Sequence, residues 1–189
     1  MPTSFDFKNA KSSDRKREFA RIAKDIGDSG LLGRRELGPL PKLLADREPI
    51  LGFTAGAMGG HHWFIVLTDR RLLFLQKGWL RGLQQTSIDL GKVSAVSSHL
   101  GVFSGKLVID ESGARRVVER VRKKTVLTFI SRARDAIEAR RIALRRTSTG
   151  VGAPLEDVVG RLERLALLVD RGILTPEEFV QQKRKMLVS

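Results

Sequence analysis

Between Ile50 and Val121 the chain is cut into short apolar runs rich in Val, Ile, Phe and Trp, separated by Gly, Asp and Ser. That spacing belongs to consecutive antiparallel strands. Seven are expected, at about 50–58, 62–68, 71–77, 84–90, 93–100, 105–111 and 115–121, with turns at Gly59-Gly60, Asp69-Arg70, 77–82, Gly91, Gly101 and Ser112-Gly113. Ile88 and Leu90 alternate with Ser87 and Asp89 as a half-buried strand requires, whereas Val93 and Val96 fall out of period and predict a bulge. After Lys124 the period becomes 3.6, with Val126, Phe129, Ile130, Ala133, Ala136 and Ile137 on one helical face through about Arg146. The fold class is therefore α+β, an antiparallel sheet closed by a long helix.

The flanks read differently. Phe19, Ile22, Ala23 and Ile26 recur at helical intervals, so a helix is expected from Ser13 to Ile26, capped by Ser13 or Asp14 and ended by Gly27, Gly30 and Gly33. A shorter helical turn follows Pro39 through Ala45. Residues 147–154 have linker composition, and Leu155 to Leu187 returns to helical spacing. This divides the chain into an N-terminal helical region (1–48), a sheet with its closing helix (49–146), a linker (147–154) and a C-terminal helical hairpin (155–189).

Seven strands closed by one helix resembles a pleckstrin-homology-like barrel, in which two nearly orthogonal sheets share a core and the helix plugs one end. The segment Phe64-Ile65-Val66-Leu67-Thr68-Asp69-Arg70-Arg71-Leu72-Leu73-Phe74 is similar to a hairpin of bacterial pleckstrin-homology-like domains, and the resemblance covers roughly Pro49 to Arg146. Leu162-Glu163-Arg164-Leu165, then Leu168 through Phe179, then Lys183 and Leu187, resembles the short C-terminal domain called SHOCT. That family implies a small helical hairpin that mediates oligomerisation. The residues describe such a hairpin directly: Gly172 ends one helix, Thr175 and Glu178 form a capping box around Pro176, and Leu174 and Phe179 occupy the staple positions. Its 33 residues fall below the ~40 that usually fold alone. Leu155, Val158, Val159, Leu162, Leu165, Leu168 and Val169 make a broad apolar stripe that therefore needs a covering surface, and Leu162, Leu165, Leu168, Ile173, Leu174, Phe179 and Leu187 are the expected oligomerisation contacts. Self-association is expected, the alternative being that the hairpin folds back on its own barrel.

The net charge is +14, and the excess is local. Residues 1–48 carry 11 basic and 8 acidic side chains, 49–146 carry 18 and 7, and 147–189 carry six of each. From Arg115 to Arg146 twelve cations face only Glu119, Asp135 and Glu138. Such a field attracts polyanions, namely nucleic acid, an anionic membrane surface or an acidic protein. Arg115, Arg116, Arg120, Arg122, Lys123 and Lys124 on the last strand and its exit, with Arg134, Arg141 and Arg145 on the helix, are the candidate surface. The loop holding Lys77, Trp79 and Arg81 sets an aromatic ring between two cations. It suits base stacking, membrane-interface insertion or a protein hot spot, unless Trp79 turns inward to cap the barrel.

Catalytic signals are weak. No cysteine is present, which excludes disulfides, thiolate nucleophiles and sulfur-bound zinc. His61 and His62 are adjacent, so a strand points them to opposite faces, and His99 adds no ligand spacing. Gly101-Val102-Phe103-Ser104-Gly105-Lys106-Leu107 has one residue too few for a P-loop, lacks its hydroxyl and leads into a strand, so it reads as a turn. In lipid-binding pleckstrin-homology domains the first hairpin loop carries basic residues, whereas Ala57 to His62 carries none. The first residues hold no secretory h-region and no run approaches the ~18 apolar residues of a bilayer span. A cytoplasmic protein, or one peripheral to a membrane, is expected. It is read as a non-catalytic, homo-oligomeric binding or scaffold module for an unidentified protein partner, with nucleic acid or anionic lipid as alternatives and no cofactor, metal or small-molecule substrate.

Overall fold

The computed structural model describes residues 5–77, 82–150, Phe179 and Gln181. Helix α1 (Ser12–Ile26), two 3-10 turns (Ser29–Gly33 and Arg35–Leu37) and the short α2 (Leu40–Leu43) precede seven strands. These are β1 (Ile50–Met58), β2 (His61–Thr68), β3 (Arg71–Lys77), β4 (Leu83–Asp89), β5 (Val93–Leu100), β6 (Gly105–Glu111) and β7 (Ala114–Val121), followed by α3 (Lys123–Gly150). The strand count and five or more residues of every expected strand agree with the sequence reading. A 3-10 turn at Leu90–Lys92 takes Leu90 out of β4. Helix α3 runs four residues beyond Arg146, so Thr147 to Gly150 are helical, and residues 151–154 of the expected linker lie outside the described residues. At the other end Ser12 already lies inside α1 and Lys11 holds the cap position without a side-chain cap bond, so neither Ser13 nor Asp14 caps it. Gly27 ends the helix in the left-handed region (φ 83), where its amide reaches the Lys24 carbonyl.

The strands form one antiparallel array in the order β4-β3-β2-β1-β7-β6-β5. Two meanders, β1 to β4 and β5 to β7, meet where Ala57 of β1 pairs with Glu119 of β7. Gly56 makes that meeting possible. A Cβ there would lie 2.5 Å from Val118 Cγ1 and 2.6 Å from the Glu119 carbonyl oxygen, closer than any side chain tolerates. The bulge expected near Val93 is present: the β5–β6 register shifts between Val93 and Ala95, which leaves both Val93 and Val96 buried.

Two apolar clusters lie on the two faces of the β1–β3 region. Ile65, Leu67, Leu72 and Phe74 join Leu107, Ile109 and Val118 from the second meander and Val126, Phe129, Ile130, Ala133, Ala136 and Ile137 from α3. Their neighbours in the chain, Phe64, Val66, Leu73 and Leu75, point the opposite way and meet Phe7, Phe19, Ile22, Ile26, Leu37 and Leu40 of the N-terminal region. The helix face drawn from the sequence is thus the inner core, and the N-terminal region forms an outer layer over the first sheet. Phe7, Phe19, Phe53 and Phe64 make a chain of ring contacts across that outer interface, with centroids 5.0, 6.4 and 5.4 Å apart.

One buried carboxylate ties the layer to the sheet. Glu48, whose side chain is fully buried, accepts bonds from Arg71 Nε (2.9 Å), Arg71 Nη2 (2.8 Å), Thr68 Oγ1 (2.9 Å) and the Ala45 amide (2.7 Å). Arg71 also donates to the Leu43 carbonyl at 3.0 Å. Burial alone pushes the Glu48 carboxyl up, but the bonds from Arg71, Ala45 and Thr68, with the Arg71 charge, outweigh it and hold the group below its ordinary 4.5. A lowered folded value means the contribution is present in full above pH 4.5 and is lost as pH falls through the lower folded value. Glu48→Gln should therefore destabilise the protein at pH 7 by about 2–3 kcal/mol, less than the loss for a fully dry pair because Arg71 is partly exposed. The variant should also show a shallower fall in stability below pH 4.5, as read by urea unfolding across a pH series; parallel profiles for both proteins would contradict this assignment.

Candidate binding surface at the β5–β6 turn

Most of the arginines singled out by charge are occupied. On α3, Arg134 donates from Nε and Nη2 to the Val96 carbonyl (both 3.3 Å), and Arg141 donates to Val93 (3.0 Å) and Ser94 (3.2 Å). These carbonyls belong to β5, an edge strand of the array, so the helix supplies the partners the edge lacks. Arg140 pairs with Asp89 at the end of β4 (3.0 Å), and Arg132 donates to the Leu51 carbonyl (2.8 Å). Counting cations gives Arg140 and Arg132 no such role; the signal that could have found them is their place beside the apolar face, one turn from Ala136 in either direction.

The β7 cations divide similarly. Arg115 bonds Asp110 (2.7 Å), and Arg116 lies over the buried Phe74 ring (5.7 Å from its centroid) with Nε 3.5 Å from Glu111. Arg122 bonds the buried Asp28 of the N-terminal layer (2.8 Å). Lys123 and Lys124 open α3, whose first turn holds no acid, and Arg145 is exposed near the far end of that helix. The side chain of Lys77, and Trp79 and Arg81 altogether, lie outside the described residues. So do Leu162, Leu165, Leu168, Ile173, Leu174 and Leu187, whereas Phe179 is helical and half-buried.

The surface that counting cations did not find is the turn from β5 to β6. Gly101 to Ser104 is closed by a Gly101 amide bond to the Ser104 carbonyl (2.9 Å), and β6 follows at once, so this segment is the turn that its failed P-loop spacing implied. Val102 is 80% and Phe103 96% exposed, with Leu100 beside them at 51%. A phenyl ring fully in water forfeits about 2 kcal/mol of burial that any partner surface would recover. Adjacent large apolar side chains left in the open mark interaction sites more often than chance exposure does.

The base of this turn is charged. His99, Lys106, Glu119 and Arg120 line the same depression as Leu100 to Ser104. Lys106 donates to Glu119 (2.7 Å) and holds that carboxyl below its ordinary range. Opposite Lys106 the β6–β7 register slips between Gly105 and Leu107, and Arg120 sits in the left-handed region at φ 54. A bulge of this kind re-aims side chains, and a non-glycine residue there carries backbone strain of about 1 kcal/mol or more. By contrast the β1–β2 turn is Gly59-Gly60 followed by the exposed His61 and His62, without Lys or Arg. Among the described residues no three His, Asp or Glu come together to hold a metal ion, and no helix is long and apolar enough to cross a membrane.

Residues 44–135 match the bacterial PH domain family. The fold is pleckstrin-homology-like, a seven-stranded antiparallel array closed by a helix. An uncharacterised protein of Archaeoglobus fulgidus is 26% identical over 151 residues, covering 66% of this chain and 80% of its own length. A solved protein with a pleckstrin-homology domain, from Shewanella loihica, is 16% identical, covers 57% of this chain and 88% of its own, and superposes with a TM-score of 0.39. PH-like domains are general binding modules and generally non-catalytic. The match begins at residue 44 and ends at 135, so the outer helical layer and the segment resembling SHOCT both lie outside it.

The strain at Arg120 separates fold from binding. Arg120→Gly should keep or raise thermal stability, by up to about 1 kcal/mol, because glycine adopts φ 54 freely. A clear loss of stability in thermal unfolding would show that the arginine side chain serves the fold and not the surface.

Proposed function

We propose that this protein is a non-catalytic scaffold in which the PH-like domain docks a protein partner through the β5–β6 turn while the C-terminal segment gathers several copies. The observation that carries the docking half is the pair Val102 and Phe103, 80% and 96% exposed beside Arg120 and Lys106. An aromatic anchor with an arginine at its side is the composition of a protein hot spot. The resemblance of 162–187 to SHOCT supports the assembling half, together with the expectation that a hairpin of that length is too short to bury its own stripe. Several weak docking turns on one particle would bind far more tightly than one.

Anionic membrane is the second reading, favoured by the same exposed ring above cations. Nucleic acid draws less support, since Arg115, Arg116, Arg122, Arg134 and Arg141 already face carboxylates or backbone carbonyls. Co-sedimentation with anionic and neutral vesicles, alongside affinity capture with the full chain and a Val102→Ser/Phe103→Ser variant, distinguishes the two readings. Under the main reading capture of a discrete partner drops at least tenfold in the variant and vesicles bind neither protein. Partner capture that ignores the substitutions would remove the turn from the mechanism.

Assembly has its own test. Light scattering should give several chains per particle for the full protein and one for a chain ending at Gly150, which keeps every described residue of α3. Equal copy numbers would reject the C-terminal segment as the assembler.

A further inference from the structure

A second site lies in the outer layer, outside the range that matches the PH family. Ser12, Arg15, Lys16 and Phe19 stand at helical spacing on one face of α1 and form one wall of a groove of about 460 Å³. Leu32, Arg34, Leu37, Gly38 and Pro41, from the 3-10 turns and α2, form the other. Phe19 and Leu37 are buried as its floor while Leu32 is 39% exposed at its rim. The groove thus has an apolar base, three cations and no acidic side chain in its lining.

The neighbouring acids are engaged elsewhere. Asp14 pairs with Arg17, and Glu18, one turn from Arg15, pairs with Arg21 (2.6 Å). No carboxylate lies within ion-pair distance of Arg15, Lys16 or Arg34 among the described residues, although Arg15 and Arg34 are both half-buried. A guanidinium partly withdrawn from water without a counter-charge is costly, and an anion that brings its own apolar body would repay that cost.

We propose that this groove binds a small amphiphilic anion, a carboxylate joined to an apolar body, with Arg15 and Arg34 holding the charge and Phe19, Leu32 and Leu37 covering the body. The eight residues from Ser12 to Phe19 rise about 10 Å along the helix, and the volume lies within the ~300–1,000 Å³ of small-molecule sites. Both dimensions suit a chain of roughly ten carbons better than a protein surface. Lys16, more exposed, supplies field and not contact.

Isothermal titration of the full-length protein with decanoate, decanol and inorganic phosphate tests this site. Saturable binding of decanoate at one site per chain is expected, with decanol and phosphate each at least tenfold weaker because each lacks one half of the recognition. Arg15→Ala/Arg34→Ala should weaken decanoate at least tenfold with an unchanged melting temperature, while Val102→Ser/Phe103→Ser should leave it unaffected. Decanoate that fails to saturate, or that binds the Arg15/Arg34 variant as well as the parent, overturns the site. Equal affinity for phosphate would reduce the groove to a general anion sink and overturn it as well. A positive decanoate result with an inactive β5–β6 turn would leave this inference standing and remove the docking function alone.

Discussion

A sheet that is apolar on both faces cannot stop at one covering layer. Phe64-Ile65-Val66-Leu67 and Leu72-Leu73-Phe74-Leu75 are buried at every position, so the β1–β3 region needs the second meander and α3 on one side and something else on the other. The N-terminal residues are that something. Residues 5–44 are therefore part of the folded body, even though the family match begins only at 44. The buried Glu48, bonded to Arg71 and Thr68 on one side and to the Ala45 amide on the other, fixes how layer and sheet meet.

The same logic reassigns much of the positive charge. A barrel assembled from two meanders ends in two edge strands, β4 and β5, whose backbone groups would otherwise face water or another chain. Arg134 and Arg141 reach the β5 carbonyls and Arg140 reaches Asp89 of β4. The long stems pack across the seam while the guanidinium groups serve as donors, which a lysine ammonium would do with less directional fit. Net charge thus overstates the surface available to a polyanion: several cations of the densest stretch are structural donors.

Periodicity made the strands, the bulge at Val93 and the inner face of α3 legible, because each rests on local alternation between apolar and polar residues. The outer layer was legible only indirectly. An unbroken run such as 64–67 announces two buried faces, but nothing in it says which segment covers the second one. Long-range pairings, such as Arg122 with Asp28 or Arg71 with Glu48, leave no spacing in the chain to read. The reading stopped α3 at about Arg146 because Thr147, Ser148, Thr149 and Gly150 have low helix propensity, yet helical geometry continues through them. Arg120's left-handed backbone carries no sequence signature at all, since arginine is an uncommon residue for that conformation.

The surfaces proposed to bind lie where the core makes no demand. Val102 and Phe103 contribute nothing to either cluster, and the tight turn closed by Gly101 and Ser104 would form as well with polar residues at its tip. The bulge at Arg120 leaves both Val118 and Val121 buried, but the strained residue itself adds nothing to the core. Arg15 and Arg34 follow the same rule in the outer layer, where Phe19 and Leu37 already complete the packing beneath them. The exposed apolar tip and the half-buried guanidinium groups, which have no carboxylate partner among the described residues, are each unfavourable in isolation, and under the proposals above a partner of the right chemistry would relieve each. That shared asymmetry, more than the barrel, sets the surfaces proposed to act apart from those that hold the protein together.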